Sequence, residues 1–574
     1  MGSLRSDGWF FGDDEVTVLH RVSLRSAGVA KGSFGNQPVI GIANSASDLN
    51  PCNLPLRDLV ASVKEGIRRS GGVAVEFPTI SLGEDLMKPS AMLYRNLLSI
   101  EIEEMIRANP LDGVVLLANC DKTVPGALMG AVSSDIPTIL ITGGARTPAM
   151  FRGKRIGTGT DLWRLWDERR SGRLGDQEWA SLETSLSCGT GACNTMGTAS
   201  SMAIIAEVLG FMVPGSSTIP AGDPRANQVA ERAGELAVTA VRKRLTPSRI
   251  LTAQSLSNAV RVLYAIGGST NVIIHLCALA GRAGIKLSLD DIGALGEEVK
   301  VLVDVEPCGA GLVQDFDAAG GVPALLREMG ELLDQATLNI AGQSVAELTC
   351  DAPLPSGVLR CRSDPITDCG AFGILRGSLA PDGAVVKKPA ASSSLFLHRG
   401  PAVVFRSYSE MIQRIDDPEL DVSEDSVLIL TGCGPVGAPG MPEWGMIPIP
   451  KKLLERNVKD MLRISDARMS GTSFGTVVLH VAPEAAVGGP LAIVEDGDMI
   501  ELDVERGRID LLVSAPEIAR RMSVWSPPPS PHLRGWPALY RDHVTQAPLG
   551  CDLDFLTSPP GQRLPFVEPV IGRS

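Results

Sequence analysis

The sequence predicts a mixed α/β protein, in which a doubly wound parallel α/β unit precedes a β-rich unit. Through the first 150 residues, short apolar runs alternate with amphipathic stretches, which is typical of strands joined by helices. From about residue 350, glycine, proline and short β-like runs replace this alternation. At 574 residues the chain is long enough to form more than one hydrophobic core.

The N-terminal unit contains four predicted strands with helices between them. The first helix has apolar residues at helical spacing and ends before a Gly-Gly pair. A later helix has Pro125 in its first turn, where the missing amide hydrogen does no harm. Helical crossovers imply a parallel sheet, whose ligands bind beyond the carboxyl ends of the strands. The predicted elements are strands 37–44, 73–79, 113–119 and 137–142, and helices 56–69, 92–108 and one around Pro125.

Residues 190–345 are predicted to be mostly helical, and the C-terminal part to be β-rich. Segment 379–394 combines proline, glycine and serine and is predicted to be a linker or a long connection. We therefore expect an α/β domain over 1–376 and a β-rich domain over 377–574, whose proline-rich tail after Ser523 wraps as loops. The β-like runs of the second domain are 385–386, 402–405, 426–430, 476–480 and 499–504.

Composition disfavours several classes of function. Lys and Arg number 53 against 66 Asp and Glu, so the net charge is −13, which repels nucleic-acid phosphates and anionic lipid. No apolar run is long enough to span a membrane. The 11 cysteines are too sparse for a disulfide framework and no secretory signal is recognisable, which together predict the cytoplasm. Residues 1–6 fit an N-myristoylation pattern, but without a polybasic patch we interpret the match as chance.

Chemistry-bearing residues follow the first three predicted strands, and one more cysteine lies in a glycine-rich loop that leads into a helix. Thiolates select iron–sulfur clusters or zinc, whereas carboxylates select magnesium or manganese. Converging thiols beside carboxylates would therefore suit an iron–sulfur cluster next to a hard cation. Spacing alone leaves open that the cysteines are small buried hydrophobic residues, since no C-x-x-C pair occurs. The residues concerned are Cys52, Glu84, Cys120, Asp121, Lys122 and Cys193.

Two motifs suggest other activities without supporting them. Residues 432–437 fit G-x-G-x-x-G after a predicted strand. Pro435, however, lies where a dinucleotide site needs the free N–H groups of a helix N-terminus. The acidic residue expected at the end of the next strand, about 20 residues on, is also missing. In the motif SDARMSG, residues 465–471, a serine beside an acid suggests a hydrolase. That motif lacks the G-x-S-x-G elbow and an evident histidine partner, so turn or cap serines are the simpler interpretation.

Six longer motifs occur in order along the chain, and together they carry a resemblance. They closely resemble the dihydroxy-acid dehydratase/6-phosphogluconate dehydratase family, from about Trp9 to Leu556. The opening GWFFGDDEVTVLHR and the loop GACNTMGTAS look more like the pentonate (L-arabinonate and D-xylonate) dehydratases than the branched-chain biosynthetic members. The six motifs are PCNLPLRDL, NCDKTVPGALMGA, GACNTMGTASSM, IGGSTNVIIHL, CGPVGAPGMPEWG and SDARMSGTSFGTVVLHVAPEAAVGGPLA.

The resemblance implies a set of cluster ligands. Cys52, Cys120 and Cys193 would bind an iron–sulfur cluster, of the 2Fe–2S type in the pentonate branch, with 4Fe–4S as the alternative. Cys188 has no counterpart in the family pattern, although it lies only five residues before Cys193. Cys433 matches a position that other residues fill in relatives, so we interpret it as structural.

A metal site and a catalytic base are implied by the same resemblance. Ser470, the second serine of SDARMSG, matches the family's base. The family fold adds a C-terminal β-barrel-like domain, and its members form homodimers or homotetramers with sites near the domain interface. The implied Mg²⁺ ligands are Glu84, Asp121, Glu443 and a carbamylated Lys122.

We therefore expect a hydro-lyase that converts a small sugar acid, a pentonate, to its 2-keto-3-deoxy acid. Such a reaction removes a weakly acidic proton from C2 and expels hydroxide from C3, which needs charge stabilisation by metal ions. Within the family, the alternative is a dehydratase of 2,3-dihydroxyisovalerate, which needs an apolar pocket wall where a sugar acid needs hydrogen-bonding groups. A more remote alternative is a non-catalytic iron–sulfur paralogue, disfavoured because every expected ligand and Ser470 are present.

Overall fold

The N-terminal unit is built on a four-stranded sheet in the computed structural model, which describes residues 4–35 and 37–573. Its strands are β1 (Val39–Asn44), β2 (Val73–Pro78), β3 (Gly113–Leu117) and β4 (Thr138–Ile141). They lie in the order β2-β1-β3-β4, and all three pairs are parallel. The four predicted strands and the parallel sheet are thereby confirmed. The first three residues of the possible acylation motif lie outside the described residues.

Helices cover this sheet because each turns an apolar stripe toward it. In the helix after β1, Leu59, Val63 and Ile67 are buried at helical spacing, as predicted. The predicted helix 92–108 begins as a 3₁₀ turn, Ala91–Tyr94, before becoming α-helical. The first five helices are α1 (Asp7–Phe10), α2 (Glu15–Ser26), α3 (Leu56–Arg69), α4 (Arg95–Ala108) and α5 (Thr123–Ser134).

A small unit with its own hydrophobic cluster follows β4, in a stretch for which the sequence predicted no element. Phe151, Leu165 and Leu182 are buried in that cluster. We call it the hairpin–helix unit, and it consists of β5 (Ala149–Phe151), β6 (Lys154–Ile156), α6 (Thr160–Arg170) and α7 (Asp176–Leu186).

The stretch from residue 190 to 345 is mostly helical, as predicted. Two of its helices, Thr198–Val208 and Asn271–Arg282, bury residues around nearly their whole circumference and join the N-terminal core. The helices are α8 (Thr198–Val208), α9 (Arg225–Lys243), α10 (Pro247–Ile250), α11 (Ala253–Ala265), α12 (Asn271–Arg282), α13 (Leu289–Gly296), α14 (Val313–Ala318), α15 (Gly321–Met329) and α16 (Val345–Thr349).

The C-terminal unit is an eight-stranded mixed sheet that nearly closes into a barrel. Its strands are β7 (Phe372–Leu375), β8 (Gly383–Lys387), β9 (Leu397–Phe405), β10 (Val427–Leu430), β11 (Arg463–Ser465), β12 (Val477–Ala482), β13 (Met499–Asp503) and β14 (Arg508–Leu511). They follow the order β14-β13-β9-β10-β11-β12-β8-β7. A bridge between Arg376 and Arg508 connects the two outer strands, so the predicted barrel-like, β-rich unit is confirmed.

The linker predicted over 379–394 is wrong. That segment contains β8, in which Val385 and Val386 are fully buried between β12 and β7. The proline and glycine there form the turn that precedes β8, and three consecutive apolar residues favour a buried strand over an exposed connection. β7 also pairs within the C-terminal sheet, although it precedes residue 377.

The tail returns to the N-terminal unit. Arg282 Nε contacts Asp552 Oδ2 at 2.6 Å, and Arg95 Nη2 donates to the carbonyls of Gly550 and Cys551 at 2.8 Å each. Both arginines are fully buried, so these contacts anchor the tail firmly. No described helix combines the length and apolar composition that crossing a bilayer would need. The remaining helices are α17 (Tyr408–Arg414), α18 (Lys451–Leu454), α19 (Ala515–Val524) and α20 (Gly535–His543).

Candidate active site

Loops beyond the carboxyl ends of the parallel strands carry the N-terminal site residues. Cys52 follows β1, Glu84 follows β2, and Cys120, Asp121 and Lys122 follow β3. The cysteine at position 193 precedes α8, and its loop is bonded through the backbone to the loop after β4. The parallel topology thus brings four separate loops to one edge of the sheet.

Three acidic side chains meet at this edge, and we call them the carboxylate centre. Carboxylate oxygens of Glu84, Asp121 and Glu443 lie within 4.8 Å of one another. Within residues 4–35 and 37–573, no other group of three acidic, histidine or cysteine ligand atoms is as compact. Since Glu443 lies in the loop after β10, the C-terminal unit completes the group.

Lys122 is the cation at the middle of the carboxylate centre. Its Nζ lies 3.0 Å from Glu443 Oε1 and 3.2 Å from Glu84 Oε2, and it also contacts Asp121 Oδ2. Burial lowers the pKa of Lys122, but the three carboxylates raise it more, so the net shift is upward. Burial raises the pKa of Glu443, yet Lys122 and Arg468 outweigh it and bring the pKa to about 2.

A shell of polar side chains orients these carboxylates. Arg468 Nη1 donates to Glu443 Oε1 at 2.8 Å, and its Nη2 donates to Ser90 Oγ at 2.9 Å. Ser90 Oγ in turn donates to Glu84 Oε1 at 2.8 Å. Asn271 Nδ2 donates to Glu443 Oε1 at 2.9 Å. The positive charges of Lys122 and Arg468 do not offset the effect of burial at Glu84 as they do at Glu443, so burial raises the pKa of Glu84.

Cys52, Cys120 and Cys193, which we call the thiol triad, converge less closely than the carboxylates. The interaction between the thiols of Cys52 and Cys120 lowers the pKa of Cys52 and raises that of Cys120. Burial raises the pKa of Cys193 to about 12, and the charge of Cys52 adds to this effect. All three cysteines are free thiols.

Two asparagines next to these cysteines interlock the first and third loops. Asn53 Oδ1 accepts hydrogen bonds from the backbone N–H of Cys120 at 2.8 Å and of Asn119 at 3.2 Å. Asn119 Nδ2 donates back to the carbonyl of Cys52 at 2.6 Å. Each asparagine therefore holds the loop that carries the other cysteine, which fixes the spacing of the two thiols.

Ser470 lies in the loop after β11, against the hairpin–helix unit. Its Oγ is 2.9 Å from Thr472 Oγ1, which accepts a hydrogen bond from Trp163 Nε1 at 3.1 Å. The preceding residue, Met469, accepts at its carbonyl a 3.1 Å hydrogen bond from Asn271 Nδ2. Because the same amide group bonds Glu443, the serine loop is coupled directly to the carboxylate centre.

Comparison with known proteins identifies the family. The model for the dihydroxy-acid/6-phosphogluconate dehydratase N-terminal domain matches residues 37–348, and that for the C-terminal domain matches 357–551. The chain belongs to this dehydratase family. It is a hydro-lyase, and the family resemblance seen in the sequence is confirmed.

Relatives within the dehydratase family differ in their similarity to this chain. It is 46% identical over 566 residues to the 6-deoxy-6-sulfo-D-gluconate dehydratase of Pseudomonas putida, covering 98% of this chain and 97% of the relative. It is 45% identical over 556 residues to the L-arabinonate dehydratase of Rhizobium leguminosarum bv. trifolii (strain WSM2304), covering 96% of each. Identity to the dihydroxy-acid dehydratase of Roseiflexus sp. (strain RS-1) is 37% over 528 residues, covering 90% and 93%. The chain therefore resembles these two sugar-acid dehydratases more than this dihydroxy-acid dehydratase.

Several residues of this dehydratase's site were not singled out from the sequence. Arg468, Thr472 and Asn271 lie inside the family motifs. The motifs therefore included these residues, but they did not show which side chains each one contacts. Ser90 and Trp163 lie outside every motif, and only the folded chain brings them to Glu84 and Thr472.

The G-x-G-x-x-G segment is occupied by the protein's own carboxylates. Asp466 accepts from the backbone N–H of Gly432 and Cys433 at 3.1 and 2.9 Å, and Glu484 accepts from those of Val436 and Gly437. Amides used in this way cannot bind a pyrophosphate, as the sequence led us to expect. Asp466, the acid of the SDARMSG motif, thus serves the backbone and not a hydrolytic serine.

Cys188 and Cys433, which the sequence analysis set apart from the cluster ligands, lie in other surroundings. Cys188 Sγ donates to the carbonyl of Thr147 at 3.0 Å and packs on the cluster of the hairpin–helix unit. Cys433 is buried in a C-terminal hydrophobic cluster, and its backbone N–H bonds Asp466. Neither contact involves the thiol triad.

Proposed function

We propose that this dehydratase removes water from a sugar acid, a pentonate in particular, to give a 2-keto-3-deoxy acid. The identity to L-arabinonate dehydratase supports the substrate class. The observation that carries the chemistry is the carboxylate centre, whose member Glu443 shares the amide of Asn271 with the loop of Ser470. This shared amide supports a cation site and a hydroxyl base that act on one substrate, as dehydration of a 2,3-dihydroxy acid requires.

Mg²⁺ fits the carboxylate centre. Its donors are oxygen atoms from three acidic side chains, which hard divalent cations prefer. Glu84 Oε2 is buried without a hydrogen-bond partner, because its 3.2 Å contact with Lys122 Nζ lacks hydrogen-bonding geometry. When bound by Glu84, Asp121 and Glu443, Mg²⁺ supplies positive charge for the substrate carboxylate and for the charge that develops as the C2 proton leaves.

Lys122 is proposed to become a further ligand as a carbamate. Its neutral Nζ amine would join CO₂ with release of one proton, which turns a cation into a carboxylate-like anion. An anion at this position would lie beside three carboxylates, so it needs a divalent cation and Arg468 to offset the charge. We therefore expect carbamylation and Mg²⁺ binding to depend on each other.

An iron–sulfur cluster fits the thiol triad. Cys52, Cys120 and Cys193 offer three free thiols from three loops, and thiolates are the ligands that such clusters require. We propose a 2Fe–2S cluster, with 4Fe–4S as the alternative. With three protein ligands instead of four, the cluster would have an open iron position and would supply a Lewis acid for the departing 3-hydroxyl.

Ser470 is proposed to be the catalytic base. The indole Nε1–H of Trp163 can only donate, so the hydroxyl oxygen of Thr472 accepts that hydrogen bond. The hydroxyl proton of Thr472 is then available to donate to Ser470 Oγ. A donor directed at Ser470 Oγ stabilises its alkoxide form, which takes the C2 proton. Hydroxide then leaves C3, and the enol tautomerises to the 2-oxo acid without a further cofactor.

We also propose the domain division and the setting of the protein. The change from helices to the mixed sheet supports a division close to the predicted one at residues 376–377, but because β7 pairs within the second sheet, we place the boundary just before Phe372. The protein would act in the cytoplasm on small-molecule acids, as a homodimer or homotetramer. Free cysteines throughout the described chain agree with a reducing compartment.

The test of this function is 2-oxo-acid release by protein purified without oxygen and supplied with Mg²⁺. A panel of pentonates is compared with 2,3-dihydroxyisovalerate under identical conditions. We expect faster turnover of at least one pentonate. Preference for the branched acid would overturn the substrate class, and absence of turnover on every acid by protein with a full cluster would overturn the enzyme assignment.

A further inference from the structure

Arg146 lies where two loops of the proposed cluster site are bonded together. Its backbone N–H donates to the carbonyl of Ala192 at 2.9 Å, and Ala192 N–H donates to the carbonyl of Gly144 at 2.9 Å. The side-chain Nε donates to the carbonyl of Gly191 at 3.2 Å. These bonds hold the arginine against the loop that ends at Cys193.

The guanidinium group faces the thiol triad. Its Nη2 lies 3.8 Å from Cys52 Sγ, within hydrogen-bonding range of a sulfur atom. Burial lowers the pKa of Arg146, but the charges of Cys193 and Cys52 raise it more, and the net shift is upward. The cation and the thiolate forms of both cysteines therefore stabilise each other.

The charge of Arg146 is not neutralised by a contacting carboxylate. In the described part of the chain it forms no ion pair within 4.0 Å, whereas the neighbouring Arg152 and Arg155 pair with Glu178 and Asp315. The closest acidic influence is the longer-range charge of Asp85. The positive charge of Arg146 therefore acts mainly on the sulfur atoms of Cys52 and Cys193.

We propose that Arg146 is a positioning residue of the iron–sulfur site, which binds the Cys52 sulfur and places a fixed positive charge beside the cluster. The inference rests on the proposed cluster. Hydrogen bonds to ligand sulfurs and nearby charge tune iron–sulfur reduction potentials. A cation stabilises the more negative reduced state, so Arg146 raises the potential. By withdrawing electron density from sulfur, it also makes the open iron position a stronger Lewis acid.

The experiment compares Arg146→Gln, Arg146→Lys and the wild type, each reconstituted with iron and sulfide without oxygen. Arg152→Gln is the matched control, since it removes an arginine whose ion pairs are on the surface. Iron and acid-labile sulfide are counted, and the reduction potential is measured by spectroscopic titration. We expect a lower potential in Arg146→Gln, a smaller change in Arg146→Lys, and the wild-type value in Arg152→Gln.

Other outcomes separate this inference from the function on which it rests. A wild-type protein that takes up no cluster would overturn the proposed function itself. A wild-type cluster whose potential and spectrum persist in Arg146→Gln would overturn the role of Arg146 alone. A rise in KM with an unchanged potential would assign Arg146 to substrate binding and likewise overturn the inference. Arg146→Lys keeps the comparison decisive if Arg146→Gln does not fold.

Discussion

Two acidic groups in this dehydratase, one partly buried and one fully buried, use their oxygen atoms differently. In the carboxylate centre, Glu443 and its neighbours contact the cations Lys122 and Arg468 and lie close together. In the second group, Asp466 and Glu484 accept hydrogen bonds from backbone amides of two loops and from the side chain of Gln546.

The pKa of Glu443 shifts in the opposite direction from the pKa values of Asp466 and Glu484. Lys122 and Arg468 overcome the effect of burial and bring the pKa of Glu443 to about 2. Burial dominates at Glu484 and raises its pKa to about 7, and likewise raises that of Asp466 to about 6. Burial alone therefore does not mark a metal site. What distinguishes the two groups is the use of their oxygen atoms, since the carboxylates of the proposed metal site converge beside cations, whereas Asp466 and Glu484 accept hydrogen bonds from backbone amides.

The largest expected effect separates the two serines of the SDARMSG motif. Ser470→Ala removes the proposed base and should lower kcat by about 10²- to 10⁴-fold while the iron content is retained. Ser465 Oγ donates to the carbonyl of Leu430 at 2.7 Å, so Ser465→Ala should instead lower the free energy of unfolding by about 1–3 kcal/mol. Steady-state kinetics and denaturant unfolding measure both. Near-normal turnover in Ser470→Ala would remove the base assignment.

Substituting one glutamate from each group tests the comparison directly. Glu443→Gln leaves Lys122 and Arg468 poorly compensated, so metal-free protein should lose about 3–5 kcal/mol, and Mg²⁺ should no longer raise its Tm. Glu484→Gln should cost about 1–3 kcal/mol and keep the response to Mg²⁺. Thermal unfolding with and without Mg²⁺ distinguishes the two. An Mg²⁺ response that survives in Glu443→Gln and disappears in Glu484→Gln would reverse the assignment.

Stability should also depend on pH through Glu484. Because its pKa is raised from 4.5 to about 7 on folding, the folded state binds more protons than the unfolded state in this interval. The free energy of unfolding should therefore fall as the pH rises from 4.5 to 7. Denaturant unfolding across this range should show a shallower fall in Glu484→Gln. Equal slopes in both proteins would mean that Glu484 is not protonated in this range.

The smallest expected effect concerns the donor to Thr472. Trp163→Phe removes one hydrogen bond and should lower kcat by about 2- to 10-fold with KM nearly unchanged. Trp166, on the same helix, packs at a tilt against Trp179 and is 43% exposed, so Trp166→Phe is the control and should keep the wild-type kcat. A change confined to KM in Trp163→Phe would place this tryptophan at the substrate and not at the base.

Periodicity in the sequence was enough to predict the N-terminal sheet. The strands before Cys52, Glu84 and Cys120 were predicted because their signals lie within a few consecutive residues. At 379–394 the turn residues predicted a linker, although a β-like run at 385–386 was also recognised, and the structure has the buried strand β8 there. Local signals predicted nothing for the hairpin–helix unit, whose small cluster forms only when α6 and α7 pack on β5.

The residues of the carboxylate centre came from motifs, but their arrangement came from folding. Motif resemblance selected Glu84, Asp121 and Glu443, and the structure brings their oxygens within 4.8 Å. Ser90 and Trp163 carry no signal in the sequence, because a serine or a tryptophan in a loop or helix is ordinary until its partner is known. Their roles as partners of Glu84 and Thr472 required the contacts themselves.

By itself the sequence determined the class of the N-terminal unit, the residue types needed for dehydration and the family. Strand and helix signals are local, and a family's motifs preserve its residue types, so both can be read without coordinates. Only the tertiary structure decided that Glu443 contacts Lys122. It also decided that Asp466 and Glu484 accept hydrogen bonds from the backbone amides of the G-x-G-x-x-G segment. The bridge between Arg376 and Arg508, which connects the outer strands of the second sheet, is likewise a tertiary contact. These outcomes depend on hydrogen bonds and ion pairs between distant segments, whose partners are chosen by packing and burial and not by neighbours in the chain.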